Sequence, residues 1–120
     1  MGNKNKEDIK LSILMPVRNE GTNIEIMLKI LESVIDVPHE ILIIHDTVDD
    51  DSIPVVRKTQ IKYENIKLIH NTLGRGVSNA IKAGVAASRG SYLLIFAVDE
   101  VGPVLAIEDM MALMDDGCDF

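Results

Sequence analysis

The sequence has no tryptophan, a single cysteine and few rings, with Phe and Tyr making up only 3% of 120 residues. Aliphatic side chains must therefore fill its core. Cys118 alone cannot form an internal disulfide, so the chain suits a reducing, cytoplasmic compartment. The plain reading of Cys118 is a small buried residue. Positive charge is in deficit: 12 Lys and Arg against 19 Asp and Glu leave a net charge of -7. That balance excludes a nucleic-acid partner, which needs a basic face. It does not exclude a nucleotide, because backbone N–H groups and a divalent cation can hold small phosphate ligands. The longest apolar run, residues 92–98, is far short of the roughly 20 residues that cross a bilayer, so no membrane segment is expected. Residues 1–10 are polar and lack the apolar stretch of a signal peptide.

With 47% hydrophobic and 26% charged residues, the chain has the balance of an ordinary globular domain. It divides into a polar leader, 1–10, and one domain, 11–120. Residues 11–15 form a short buried strand ended by Pro16. Thr22-Asn23-Ile24-Glu25 matches a capping box, with Thr22 as N-cap and Glu25 reaching back to it. Ile24, Met27, Leu28, Leu31, Val34 and Ile35 then follow the spacing of one helix face. Residues 40–45 are continuously apolar after Glu40, which predicts a strand buried on both sides. Pro54 suits the first turn of a short helix over 53–60, and residues 66–70 form a third strand. Gly74-Arg75-Gly76 opens a helix over 77–89 whose inner face carries Ala80, Gly84 and Ala87, with Gly90 as its C′ stop. A fourth strand over 92–96, a helix over 106–116 and the start of a fifth strand at Cys118 complete the pattern.

This alternation predicts a three-layer α/β/α fold with a mostly parallel sheet. A chain that stops as a strand begins reads as truncated, because domain boundaries prefer exposed linkers. An incomplete sheet also leaves an open edge, through which two copies could pair as a homo-oligomer.

Ligands of open parallel sheets bind beyond the carboxyl ends of the strands. There the sequence offers Pro16-Val17-Arg18-Asn19-Glu20 after the first strand and Asp46 with Asp49-Asp50-Asp51 after the second. Asn71 and Gly74-Arg75-Gly76 follow the third strand, and Asp99-Glu100 the fourth. Carboxylates for a hard cation, with arginine and backbone N–H for phosphate, make an anion-plus-metal environment. Asp49 to Asp51 read more simply as a solvated acidic loop ahead of a helix N-terminus. A lone G-x-G is a weak signal. His39, His45 and His70 are too far apart in sequence to show metal-ligand spacing, and they receive no role. Asp46 and Asp99 stand out, since each follows an apolar strand where an unpartnered charge is costly.

In combination and order these residues resemble the family 2 inverting glycosyltransferases of GT-A fold, which include dolichyl-phosphate mannose synthases and bacterial cell-envelope sugar transferases. The family's Pro-x-Tyr-Asn-Glu is similar to Pro16-Val17-Arg18-Asn19-Glu20, and its Asp-Asp-Gly-Ser-x-Asp to the stretch from His45-Asp46. Its Asn-x-Gly-x-x-x-Ala-x-x-x-Gly followed by Ala-x-Gly-Asp resembles Asn71 through Gly90-Ser91. The resemblance implies binding of a nucleotide-diphosphate sugar, with transfer of the sugar to an acceptor such as a lipid phosphate or cell-envelope glycan. It places Pro16, Arg18 and Glu20 in the nucleoside pocket, Asp46 on the base or ribose, and Arg75 near the diphosphate. It makes Asp99 the ligand of Mg2+ or Mn2+.

This sequence departs from the family at three points. Ala97 stands at the first position of the family's Asp-x-Asp, Arg18 replaces tyrosine, and His45 replaces the first Asp of the pair. The family's catalytic base falls in the half of the domain beyond this chain, so the 120 residues are expected to be inactive alone. The alternative is a degenerate module that binds the nucleotide sugar without catalysis. A dinucleotide-binding dehydrogenase would place G-x-G-x-x-G after the first strand, and a P-loop enzyme needs G-x-x-x-x-G-K-[ST]; neither is present.

Overall fold

The computed structural model describes residues 9–74 and 76–96. Four strands, β1 (Leu11–Val17), β2 (His39–His45), β3 (Ile66–His70) and β4 (Tyr92–Ile95), alternate with α1 (Gly21–Val34), α2 (Ser52–Gln60) and α3 (Val77–Ala87). All pairings are parallel, in the order β3-β2-β1-β4. The helix expected over 106–116 and the strand expected to start at Cys118 lie outside the described residues.

The strand order dictates which face each helix covers. From β1 to β3 the chain steps in one direction, and from β3 to β4 it returns across the sheet. Right-handed crossovers therefore place α1 and α2 on one face and α3 on the other. Side chains alternate accordingly. Ile13, Met15, Ile41 and Ile43 face α1, meeting Ile24, Leu28 and Leu31. Leu14, Leu42 and Ile44 face α3, meeting Ala80. With both faces covered, the central strands carry apolar residues at consecutive positions rather than alternate ones. Each fully buried aliphatic side chain contributes about 2 kcal/mol of transfer free energy.

Three local expectations are corrected. β1 continues through Pro16 to Val17. The Leu14 carbonyl accepts the Phe96 N–H at 2.9 Å, so even-numbered β1 residues turn their backbone toward β4. Pro16 faces the same way but lies two residues past Leu14, the partner of the last β4 residue, Ile95. Its missing N–H therefore removes no ladder bond from the described sheet. Secondly, Thr22 is not an N-cap: α1 starts at Gly21 after Glu20, with no side-chain cap of its own. Thirdly, α3 ends at Ala87 with an extended Ser88, so Gly90 is not its C′ residue. Gly90 instead permits a close crossing, since a Cβ there would lie 2.6 Å from Ser12 Oγ and 2.8 Å from the Leu11 carbonyl carbon.

That crossing belongs to a buried polar knot at the amino ends of the strands. Glu40 on β2 is fully buried. Its carboxylate accepts from the Ser12 hydroxyl at 2.7 Å, the Arg89 N–H at 2.6 Å and Lys67 Nζ at 3.3 Å. Ser12 Oγ in turn accepts the Gly90 N–H at 2.8 Å. One carboxylate thus ties β1, β2, β3 and the segment after α3. A cavity of about 500 Å³ adjoins it, lined by His39, Asn65, Lys67 and Arg89 among others. Its Asn65 and His39 are engaged with Glu32, at 2.8 and 3.1 Å.

Removing one member of a buried charged network leaves the others unsatisfied. Glu40→Ala is expected to lower the unfolding free energy by about 3 kcal/mol. Lys67→Met, on a half-exposed side chain, should cost less than about 1 kcal/mol. Urea denaturation of both variants checks the difference.

Candidate functional site

The loops after β1 and β2 are built as one unit. Two helices, α1 and α2, begin side by side at the carboxyl edge of the sheet, and each presents N–H groups with no partner inside its own helix. The loops supply one another's acceptors. Asp50 Oδ2 accepts the Asn19 N–H at 3.0 Å, and Ser52 Oγ accepts the Glu20 N–H at 2.8 Å. Asp51 Oδ1 accepts the Gly21 N–H at 2.9 Å. In return, Asn19 Oδ1 accepts the Asp51 N–H at 3.1 Å. Asp50 also caps its own helix, taking the Ser52 N–H at 2.8 Å on Oδ1. Asn19 adopts a positive φ of 54°, a conformation that asparagine tolerates better than most residues.

Asp50 is therefore not part of a solvated loop: it is 3% exposed, whereas Asp49 and Asp51 are exposed. Burial pushes its carboxyl up, but hydrogen bonds from the Ser52 N–H, the Asn19 N–H and the Ser52 hydroxyl, with the nearby His45 charge, outweigh it. The net effect holds Asp50 below the usual carboxylate range.

Beyond this lock lies a cleft of about 230 Å³ at the carboxyl edge. Pro16 from the end of β1, Arg18 and Glu20 from the loop after it, Asp46 from just past β2, and Gly76 and Val77 from the start of α3 line it. Four of the predicted nucleotide-site residues are thus brought together. Arg18 is exposed, while Pro16, Glu20 and Asp46 are half-buried. The remaining two predicted residues, Arg75 and Asp99, lie outside the described residues. Among the described residues, no group of three or more His, Cys, Asp or Glu is disposed to hold a metal ion.

Two partnerships at the cleft join residues that lie far apart in the sequence. Asn71, 5% exposed, donates from Nδ2 to Asp46 Oδ1 at 2.7 Å and to the Gly74 carbonyl at 2.7 Å. His45 and His70, on adjacent strands, stack with ring centroids 5.0 Å apart and planes 5° from parallel. Their free edges reach the loop that carries Asp46: His45 Nδ1 bonds the Thr47 carbonyl at 3.0 Å and His70 Nε2 the Asp46 carbonyl at 3.2 Å. The register pairing His45 with His70 creates this stack. Separation along the chain conceals it. Gly76, at φ 114°, supplies a left-handed turn into α3 that a side chain would resist.

A family model for glycosyl transferase family 2 matches residues 12–120 of the chain. The chain belongs to glycosyl transferase family 2. Within the family it is similar to the uncharacterized glycosyltransferase YibD of Escherichia coli, with 31% identity over 109 residues, 89% of this chain and 31% of that protein. It is also similar to the dolichol-phosphate mannosyltransferase of Pyrococcus furiosus, with 23% identity over 112 residues, 92% of this chain and 32% of that protein. Its fold matches that of the mannosyltransferase PcManGT from Pyrobaculum calidifontis, solved with GDP-Man and Mn2+. That match has a TM-score of 0.70 at 20% identity and covers 82% of this chain and 30% of that one. The family 2 chain described here spans about a third of the length of the curated relatives it matches.

The depressed Asp50 carboxyl has a definite sign. A carboxyl lowered by folding stabilises the native state above the unfolded value and loses that contribution as pH falls through the folded one. Stability should therefore fall more steeply in the parent than in Asp50→Asn as pH drops below the usual carboxylate range, about 4. At neutral pH the same variant should be less stable by about 1 kcal/mol, because it loses a charge-assisted double cap. Urea unfolding at a series of pH values reads both effects.

Proposed function

We propose that this domain holds the nucleoside diphosphate part of a sugar nucleotide, as the donor-binding portion of a glycosyltransferase. The supporting observation is the convergence of Pro16, Arg18, Glu20 and Asp46 with the start of α3 around one cleft at the carboxyl edge. The chemistry of these groups suits such a ligand. Asp46 and Glu20 accept hydrogen bonds from a base N–H or ribose hydroxyl, and Arg18 donates a planar fork to an acceptor edge or a phosphate. The N-terminus of α3 offers backbone N–H groups and a favourable dipole to phosphate. Arg75, between Gly74 and Gly76, is assigned to the diphosphate.

The oxygen donors Asp46 and Glu20 are of the kind that Mg2+ and Mn2+ prefer, and Asp99 is proposed as the protein's metal ligand. A cation bound there supplies charge neutralisation to the departing diphosphate. Solved with GDP-Man and Mn2+, the Pyrobaculum mannosyltransferase has a ligand set consistent with this reading. The acceptor is proposed to be a lipid phosphate or cell-envelope glycan, by likeness to the dolichol-phosphate relative. The base that activates the acceptor is proposed to lie in the part of the relatives' length that this chain does not span, and the 120 residues alone are expected to bind without transferring.

Ala97, in place of the first acidic residue of the family's metal motif, favours one second reading: a module that binds the nucleotide sugar without catalysis. Among the described residues no helix is long and apolar enough to cross a membrane. A cytoplasmic location is proposed from the single cysteine, and self-pairing through an open sheet edge completes the reading.

Calorimetric titration with GDP-mannose and UDP-glucose, with and without Mn2+, tests the proposal. Tighter binding of one donor in the presence of Mn2+ is expected, with no sugar released by the chain alone. Asp46→Ala should weaken that binding by about tenfold or more, the loss of one charged hydrogen-bond partner. Failure of both donors to bind under either condition would sink the reading.

A further inference from the structure

The cleft has two walls from different parts of the chain, and one buried side chain joins them from behind. Asp46 forms part of one wall, and Gly76 with Val77 forms the other. Asn71 does not line the cleft. It sits just past β3, 5% exposed, with its N–H donated to the His45 carbonyl at 2.8 Å. Its amide nitrogen donates to Asp46 Oδ1 and to the Gly74 carbonyl, each at 2.7 Å. Its amide oxygen accepts the Leu73 N–H at 3.0 Å. Both amide hydrogens and the oxygen are therefore occupied. The only residue type with two donors and an acceptor at this length is asparagine.

We propose that Asn71 is a positioning residue that sets the Asp46 carboxylate at a fixed distance from the Gly74–Gly76 turn, so that a ligand bridging base pocket and diphosphate loop meets both at once. The proposal rests on the nucleotide reading above and extends it to a residue that touches no ligand. By holding Oδ1, Asn71 stops the Asp46 carboxylate from rotating and leaves Oδ2 as the edge turned to other partners. By holding the Gly74 carbonyl, it anchors a turn in which both glycines have positive φ, at 116° and 114°. Such a turn has no side chains of its own at those positions to restrain it. The entropy of ordering the loop is then met on folding, not on binding.

This arrangement predicts which ligands suffer when Asn71 is changed. A free nucleoside needs only the Asp46 wall, whereas a nucleoside diphosphate needs both walls in register. Asn71→Ala should weaken nucleoside diphosphate binding by about tenfold, and free nucleoside binding by a smaller factor. Asn71→Asp preserves size but sets a second carboxylate against Asp46. Two carboxylates sharing one hydrogen bond retain a proton well above the usual range. Binding by Asn71→Asp should therefore recover as pH is lowered from about 8 toward about 5 to a greater degree than in the parent. Arg18, Glu20, His45 and His70 are the other ionisable side chains around this region and are common to both proteins, so the parent profile serves as the control.

The experiment is titration of the parent chain and both variants with guanosine, uridine, GDP and UDP, with Mn2+ present, across that pH range. A loss concentrated on the diphosphates, with acid recovery confined to Asn71→Asp, supports the positioning role. Equal loss for nucleosides and diphosphates, or no loss, overturns it while leaving the nucleotide reading intact. No binding by the parent overturns the nucleotide reading itself. A third arm needs no variant: in the parent, the Asn71 side-chain amide protons should be protected from exchange and shift on GDP or UDP binding. If they exchange as freely as those of a surface asparagine, the clamp is refuted even where a variant fails to fold.

Discussion

Helix N-termini that lie side by side repel in two senses: their dipoles align, and their N–H groups compete for the same few acceptors. In this protein α1 and α2 face that problem at the carboxyl edge of the sheet, and Asp50 resolves it by accepting from both loops at once. Asp51, Ser52 and Asn19 complete the exchange. Because Arg18 and Glu20 sit in the loop so held, and Asp46 precedes the loop that holds it, the geometry of the cleft follows from this bonding. A negative charge placed between two positive helix ends is favourable electrostatically, which is consistent with a buried carboxylate held below its usual range.

The charge distribution then separates by role. At the amino ends of the strands Glu40 is enclosed, with partners from β1, β3 and the segment after α3. At the carboxyl ends, Glu20 and Asp46 stay half-buried and open to a cleft. Both ends carry acidic residues in an acidic protein, but Glu40 is fully buried among its partners whereas Glu20 and Asp46 are not. The reversal in strand order between β1 and β4 places that open end at the position where parallel sheets commonly bind nucleotides.

How much of this was legible depends on the range of the interaction. The strand runs 40–45 and 66–70 were read nearly to the residue because apolar stretches between polar turns leave little choice. The inner face of α1 followed from periodicity, with Ile24, Met27, Leu28 and Leu31 all buried. Local rules failed where a distant partner offered more. Thr22 and Glu25 form a capping box on paper, yet residues some 30 positions away satisfy the N–H groups entering that helix. Gly90 looked like a helix stop because nothing nearby in sequence reveals that it crosses over Ser12. The pairing of Asn71 with Asp46 arises only from the strand register. An Asp50-Ser52 spacing just ahead of Pro54 was the available hint that Asp50 caps a helix, although not that it serves a second one.

The knot around Glu40 has a mechanical implication for the far rim of the sheet. With the strands riveted at one end, any spreading between neighbours must fan outward from that point. From residue 40 to residue 45 the lever arm is about 17 Å, at roughly 3.3 Å per residue. A tilt of one degree between strands therefore displaces the rim by only about 0.3 Å, less than the tolerance of a hydrogen bond. Accommodation of differently sized guests consequently falls to the loops, while the strand ends act as a nearly rigid jaw.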